Sequence, residues 1–146
     1  MSLSTEITSA AIATLIAGSV STLVAMGIAK SNNTKRLEDS FDSILKIAVQ
    51  YPFLENNNFT SLWDSKVDQT KEENLRYDVY CTLVFNFLER LCKHYSFNET
   101  KINDFVNMKD WIRTHENYWK YPLVKHENLD SYNQEFRALV EKYIGK

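Results

Sequence analysis

Glycine and proline are both scarce in this chain of 146 residues, which has three glycines and two prolines. Gly145 is the only glycine after residue 27, so the glycine-rich loops that hold phosphates in Walker and dinucleotide-binding motifs are excluded. The remaining composition is ordinary, with 44% hydrophobic and 25% charged residues, which excludes long disordered, collagen-like and repeat-array proteins. Length and composition therefore predict one small globular domain.

Lysine and arginine are absent from the first 29 residues, and the segment Ile7–Ala29 carries no charge at all. As a helix this segment would be about 34 Å long, enough to cross a hydrocarbon core of about 30 Å. The leader before it contains Glu6 and no cation, whereas a cleaved signal peptide needs a basic start. We therefore expect residues 1–30 to form a single transmembrane anchor. A cleaved signal peptide is the alternative, because Gly27-Ile28-Ala29 resembles a cleavage site.

The first cations after this segment, Lys30, Lys35 and Arg36, indicate its orientation. Basic flanks stay on the cytoplasmic side, so we expect the N-terminus outside and residues 31–146 in the cytoplasm, at the inner membrane. Cys81 and Cys92 agree with a reducing compartment. Their spacing along one helix separates them by about 16 Å, which is too far for a disulfide.

Small residues recur at every fourth position of the expected anchor. Such rows let transmembrane helices approach closely, so we expect the anchors to self-associate in a homo-oligomer. The alternative is that an anchor rich in alanine, serine and threonine has small residues on every side. The row consists of Ala13, Ala17, Ser21, Ala25 and Ala29.

Residues 31–146 are predicted to form an all-α domain of four to five helices, because apolar residues recur at helical spacing and no strand pattern is found. The first helix should end before Pro52, and it either continues the anchor or leaves it by a turn at Ser31–Thr34. Its buried face is expected to hold Leu37, Phe41, Ile44, Leu45, Ala48 and Val49. Beyond it, a loop is expected to attach to the core through Phe59, Leu62 and Trp63.

The helix predicted for residues 72–95 is apolar over most of its circumference, which is typical of a central helix. Its narrow polar stripe consists of Asp78, Thr82, Asn86, Glu89, Arg90 and Lys93. A third helix should run from Ile102 or Met108 to Trp119, and Ser131 with Gln134 predicts a capping box for the last helix. The inner faces of these two helices are expected to hold Met108, Trp111, Ile112, His115, Tyr118 and Trp119, and Tyr132, Phe136, Leu139, Val140, Tyr143 and Ile144.

Metal-binding and catalytic motifs are not found in the sequence. His94, His115 and His126 lack the His-x-x-x-His spacing of a helical zinc site, so no metal and no cofactor are predicted. The nearest enzymatic alternative is a helical RNase of the HEPN kind, in which four to six residues separate an arginine from a histidine. Three residues separate Arg90 from His94. We therefore expect a protein that is not an enzyme.

Aromatic and basic residues are densest between Trp111 and Pro122, a mixture that can stack an adenine and hold a phosphate. The helical wheel places Trp111, His115 and Trp119 in the core, with His115 bonded to a buried acceptor. The body carries nearly balanced charge, which argues against long DNA or RNA as a partner. A small anionic ligand is expected to bind a local cluster drawn from Arg90, Lys93, His94, Arg113, Lys120, Lys125 and His126.

An uncharged anchor of small residues, joined to a small all-α cytosolic body, resembles the small transmembrane effectors of bacterial antiphage defence. The plan is similar to that of the CRISPR-associated type III effector of about this length that recognises cyclic tetra-adenylate. The resemblance implies a homo-oligomer, capture of a cyclic oligoadenylate by the soluble domain, and perturbation of the lipid bilayer after ligand binding. The turn at Ser31–Thr34 would then reorient the anchors.

Two other functions remain open at this point. A membrane-tethered adaptor would dock a protein partner through exposed aromatic residues, for which Trp63, Tyr118 and Tyr121 are the candidates. The HEPN-like RNase is the third possibility, and it would lose activity on substitution of Arg90 or His94.

Overall fold

The computed structural model describes residues 3–124 and 130–145, with side chains from Thr22 onward. Every regular element in these residues is helical, so the protein is all-α, as predicted. A 3₁₀ turn, Pro52–Glu55, follows the first helix. The α-helices are α1 Leu3–Gln50, α2 Asn57–Thr60, α3 Glu72–His94, α4 Glu99–Phe105, α5 Met108–Thr114, α6 Glu116–Lys120 and α7 Gln134–Ile144.

The chain divides into two compact units, Met1–Arg36 and Leu37–Lys146. Helix α1 begins in the first unit and ends in the second without interruption at Ser31–Thr34. Of the two alternatives for that segment the continuous helix is therefore correct, and the turn assumed for signalling is wrong. Within the continuous helix, the Thr34 hydroxyl donates a hydrogen bond to the Lys30 carbonyl, 3.1 Å away, so the side chain that could have favoured a turn has a partner in the helix itself.

No helix in the described part of the chain is long and apolar enough to cross a membrane. The expected transmembrane anchor is accordingly not supported by these residues. The side chains of residues 7–21, which make up most of the uncharged segment, lie outside those that the structure describes. The anchor and its small-residue row therefore stay predictions.

Helix α3 is the central helix of the second unit, as predicted, and the predicted bounds differ from the observed ones by one residue. It buries ten side chains, among them Phe85, Phe87 and Leu88, which are inaccessible to solvent. Phe87 lies 5.6 Å from the ring of Phe41 on α1, centroid to centroid. One of the ten is the charged residue Glu89. Its Oε1 accepts a hydrogen bond from the Asn133 backbone N–H at 2.7 Å, which ties α3 to the start of α7.

Several apolar residues that were expected in the core lie on the surface instead. On α1, Leu37 and Ile44 are buried, whereas Leu45 and Val49 are exposed, and Leu62 beyond α2 is exposed as well. The expectation is wrong for these three because periodicity shows that a helix face is apolar but not how much of it the neighbouring elements cover. On α3, the aliphatic residues Leu75, Val79 and Leu83 are likewise on the surface, at 46%, 60% and 41% exposed.

The predicted third helix is divided into three short ones, α4, α5 and α6. The Asn98 and Asn107 side chains accept hydrogen bonds from backbone N–H groups in the first turns of α4 and α5, so each of these helices has its own N-cap. Its predicted inner face is confirmed, with Met108, Ile112, His115, Tyr118 and Trp119 buried and Trp111 half-buried.

The last helix, α7, buries the predicted residues Phe136, Leu139, Val140 and Tyr143, with Ile144 partly buried. Tyr132 is buried as predicted, but it precedes the helix. Its predicted capping box is wrong, because the side chain of Asn133, not Ser131, accepts from the backbone N–H of Glu135 at 2.7 Å. An asparagine directly before the first helical residue is the shorter route to those donors. Gly145 ends α7 with a positive φ of 79°, which a residue with a Cβ adopts only under strain.

Candidate functional site

A partly buried polar network is centred on Glu55, the last residue of the 3₁₀ turn. One carboxylate oxygen, Oε1, accepts three hydrogen bonds from side chains of α3, α5 and the start of α6. Trp111 Nε1 donates at 2.8 Å and His115 Nε2 at 3.2 Å, and the Tyr80 hydroxyl donates in a short contact. A turn of four residues is thereby tied to three helical segments through one oxygen atom.

His115 continues this network into the core, where its side chain is completely buried. Nδ1 lies 2.9 Å from the Tyr77 hydroxyl, on the side of the ring opposite Nε2 and Glu55. The Cys81 Sγ lies 3.7 Å from the same nitrogen. The prediction that His115 is a core residue bonded to an acceptor is confirmed, and Glu55 is that acceptor.

Cysteine, histidine and glutamate in sequence along one network are the components of a nucleophilic triad, but their setting here does not fit catalysis. Cys81 is completely buried, and burial raises the pKa of its thiol well above the usual range. A catalytic thiol must instead be accessible and ionised. Burial likewise raises the pKa of Tyr77 far above its ordinary value, so this hydroxyl stays protonated. The network is therefore a structural one that positions the turn against α3 and α5.

Opposing effects set the pKa of Glu55. Burial alone would raise it, but the hydrogen bond from His115 and the charge of that ring when protonated, with the hydrogen bonds from Tyr80 and Trp111, lower it below the ordinary value of 4.5. The ionised carboxylate is therefore the form that the fold stabilises. Its contribution to stability is fully present above about pH 4.5 and is lost as the pH falls through the lower pKa of the folded state.

We expect Glu55→Gln to be less stable than the wild type near neutral pH, and the difference to shrink on acidification from about pH 5 to about pH 3. The measurement is the free energy of unfolding of both proteins at each pH, followed by tryptophan fluorescence. Glu99, whose pKa is lowered by hydrogen bonds from Lys142 and Tyr143, contributes equally to both proteins and cancels. A difference that stays constant over this range would contradict the assigned role of the ionised carboxylate.

The second notable surface is a groove between the end of α1 and helix α3. One hollow of about 280 Å³ is lined by Asp39, Ser40, Ser43, Ile44, Ile47, Leu83 and Arg90. A second hollow of about 410 Å³ shares Ile47 and Leu83 with it and extends to Tyr51, Leu75 and Val79. We call Leu75, Val79 and Leu83 the apolar stripe. They lie on one face of α3 because they are spaced four residues apart.

The seven residues predicted to bind an anionic ligand lie in separate settings where the structure describes them. Arg90 lines the groove, and Arg113 Nε donates to the Tyr143 carbonyl at 3.1 Å. The other described contacts are Lys93 Nζ with Glu89 Oε1 at 3.0 Å, Lys120 Nζ with Glu116 Oε1 at 3.2 Å, and the His94 ring with that of Tyr95 at 4.7 Å between centroids. Lys125 and His126 lie outside the described residues, so a ligand cluster that includes them stays a prediction.

The expectation that an adaptor would use three exposed aromatic residues is wrong for two of them. Trp63 and Tyr118 are almost completely buried, and only Tyr121 is exposed. Trp63 is held inside by a hydrogen bond from its Nε1 to the Tyr121 carbonyl at 2.9 Å. Their burial agrees with the other expectations for them, that Trp63 attaches its loop to the core and that Tyr118 lies on an inner helix face. Each satisfies its polar atom there, Tyr118 by donating to Asp78 Oδ1 at 3.0 Å.

Glu55 is the residue that the sequence analysis did not single out. The available signal was its position directly after the apolar run Pro52-Phe53-Leu54, of which Leu54 is completely buried. A single acid adjoining a buried residue is well placed to accept hydrogen bonds from core donors. His115, which needed such an acceptor, was the matching signal.

Comparison with family models, curated proteins and solved structures finds no match for this chain. Within the described residues, no group of three histidine, cysteine or carboxylate side chains is placed to hold a metal ion. The fold and site therefore define the protein by its geometry: an all-α body with a structural carboxylate network inside and an apolar stripe beside a groove outside.

Proposed function

We propose that this protein is a non-enzymatic membrane effector of antiphage defence that acts by assembly of its helical body. The observation that carries the proposal is the apolar stripe of α3. Three large aliphatic side chains between 41% and 60% exposed, on the central helix of a body with an otherwise filled core, are typical of an interaction surface. In this proposal residues 1–30 anchor the chain in the inner membrane, with the N-terminus outside and the body in the cytoplasm.

Assembly of the bodies offers a route to the membrane that needs no turn at residues 31–34. The N-terminal segment and the body are one covalent chain, so association of the bodies raises the local concentration of the N-terminal segments. The uncharged sequence of residues 7–29 and its row of small residues support an anchor that then associates within the bilayer.

A cyclic oligoadenylate is the ligand that we propose as the trigger, in line with the resemblance to transmembrane effectors. Arg90 supports this choice, because it lines the groove together with the hydroxyl-bearing Ser40 and Ser43 and the apolar Ile47. A guanidinium group and hydroxyls suit a phosphate, and an aliphatic wall suits the face of an adenine. Asp39 in the same hollow would disfavour a second phosphate close by.

We expect cyclic tetra-adenylate to raise the melting temperature of the full chain in detergent by several degrees. A ligand at a hundred times its dissociation constant stabilises the native state by about 2.7 kcal/mol, whatever its chemistry. Arg90→Gln should remove most of this shift. Lys109→Gln, a matched change at an exposed lysine of α5 that lines none of these hollows, should leave it intact.

Each other outcome of this titration has a definite meaning. An equal shift in the wild type and Arg90→Gln would place the ligand elsewhere on the body. No shift with any linear or cyclic oligoadenylate would refute the proposed trigger and favour the tethered adaptor, which assembles with a protein partner instead.

A further inference from the structure

Helix α3 carries a continuous row of accessible side chains with the spacing of a coiled-coil seam. Successive members are four, three, four, three and four residues apart, so they form one stripe along the helix. We call this the heptad row. It consists of Glu72, Arg76, Val79, Leu83, Asn86 and Arg90. All are exposed except Arg76, which is half-buried. Its guanidinium lies over the Tyr51 ring, 4.2 Å from the centroid, and forms an ion pair with the Glu72 carboxylate one helical turn earlier.

The order of residue types in the heptad row is self-complementary only when it is read in opposite directions. If two copies of α3 are aligned antiparallel about a two-fold axis at the level of residue 81, Val79 faces Leu83 of the second copy. Arg76 then faces Asn86, and Glu72 faces Arg90. Each pairing occurs twice by symmetry, so two apolar layers are flanked at both ends by a pair of opposite charges.

A parallel alignment of the same row brings identical residues together. Glu72 would face Glu72, and Arg76 and Arg90 would each face their own copies. Like charges placed directly opposite one another destabilise a helix pair, whereas the antiparallel arrangement replaces these repulsions with attractions. Charge complementarity therefore selects both the orientation and the register.

We infer that the heptad row of α3 pairs antiparallel with the heptad row of a second copy of this chain, through the contacts Val79 to Leu83 and Glu72 to Arg90. This inference rests on the proposed assembly function and assigns its surface, partner and geometry in the ligand-free chain, because a phosphate bound at Arg90 would compete with Glu72 of the second copy for the same guanidinium. Leu75, beside the row, and Ile47, on the wall of the groove, extend the apolar contact on either side.

The expected dimer is weak in solution. Two apolar layers and their flanks form a small interface, and small interfaces are characteristic of transient complexes. Chains confined to one membrane meet at a much higher effective concentration, which favours the same contact there. A weak contact of this kind suits a protein that must stay dispersed until it is activated.

Charge reversal tests the register. In the full chain in detergent, Glu72→Arg and Arg90→Glu should each weaken dimerisation roughly tenfold, because each puts like charges together at both ends of the interface. The double variant should restore the wild-type dissociation constant. Glu73→Arg is the matched control, since Glu73 is exposed in the same helical turn but lies outside the row, and it should have no effect. The measurement is mass photometry or equilibrium sedimentation over a concentration series.

Cysteine cross-linking tests the contact directly. The chain with both Val79→Cys and Leu83→Cys should form a covalent dimer under mild oxidation, whereas each single variant should form little. The native thiols give a low background, because Cys81 and Cys92 are buried and burial raises the pKa of Cys92 to about 12. Cross-linking of a single variant as efficient as that of the double one would overturn the antiparallel register.

These results also separate this inference from the proposed function. A chain that assembles but ignores the charge reversals, and does not cross-link through residues 79 and 83, refutes this interface and leaves assembly standing. A chain that is monomeric at every concentration, both in detergent and in vesicles, refutes assembly itself.

Discussion

Replacing Trp119 with alanine is expected to destabilise the helical body by about 3–5 kcal/mol, the range measured for deletion of a buried tryptophan or phenylalanine side chain. Trp119 on α6 is 3% exposed and joins three helices. Its ring lies 4.9 Å from that of Phe85 on α3, and 5.5 and 6.1 Å from those of Tyr132 and Phe136 at the start of α7. The cavity left by alanine cannot close, because its walls belong to separate helices.

The measurement is the midpoint of denaturant unfolding of the full chain, followed by the fluorescence of the remaining tryptophans. Both of these, Trp63 and Trp111, lie in the same unit as Trp119. Tyr121→Ala is the matched control, because the Tyr121 side chain is exposed and its backbone carbonyl can still accept from Trp63. We expect it to change stability by less than about 1 kcal/mol. We call Trp119, Phe85, Tyr132 and Phe136 the aromatic junction. Equal losses of stability in the two variants would mean that Trp119 in this junction stabilises the body no more than an exposed ring does.

Glu55→Ala is expected to destabilise the body by about 2–4 kcal/mol, although the removed side chain is one-third exposed. The loss comes from the donors left behind. His115 is completely buried, and Glu55 Oε1 is the acceptor that the described residues place beside its Nε2, whereas water can reach the donors nearest the surface and limits the cost. Glu55 also holds the 3₁₀ turn against α3 and α5, so the variant should expose that turn to proteolysis before the rest of the body.

Glu55→Gln separates the two contributions of the carboxylate. Glutamine keeps one acceptor oxygen and loses the charge, so we expect a loss of about 1 kcal/mol near neutral pH. Glu73→Ala, at an exposed position, should change stability by less than about 0.5 kcal/mol. If Glu55→Ala lost no more stability than Glu73→Ala, the network would contribute nothing to the stability of the body. The turn would then be held by the burial of Leu54 alone.

The inner and outer sides of helix α3 differ in how they are packed. The carboxylate network and the aromatic junction hold the inner side of α3 rigidly, because each of their groups touches partners on several helices. The outer side of α3 borders a groove with α1, and Val79 and Leu83 there retain exposed apolar area. A rigid helix with one uncovered face is a suitable platform for reversible association.

The local helical structure was predictable from the sequence. The bounds of α3, the end of the first helix before Pro52 and the buried face of α7 were all expected from periodicity, and the structure confirms them. These features depend on residues a few positions apart, for which hydrophobic spacing is sufficient evidence. The inner faces of α5 and α6, and the burial of His115 between them, were predictable for the same reason.

Only the tertiary structure decided which apolar faces are covered and where long-range partners lie. Periodicity makes Val79 and Leu83 indistinguishable from buried Val84 and Leu88, because it records the polarity of a face and not the presence of a neighbour. Glu55 and His115 are 60 residues apart in the chain, and no local pattern links them. Which helix faces are buried, and which distant residues form hydrogen bonds, depends on how the helices pack in the whole body. The helices themselves follow from interactions within a few turns of the chain.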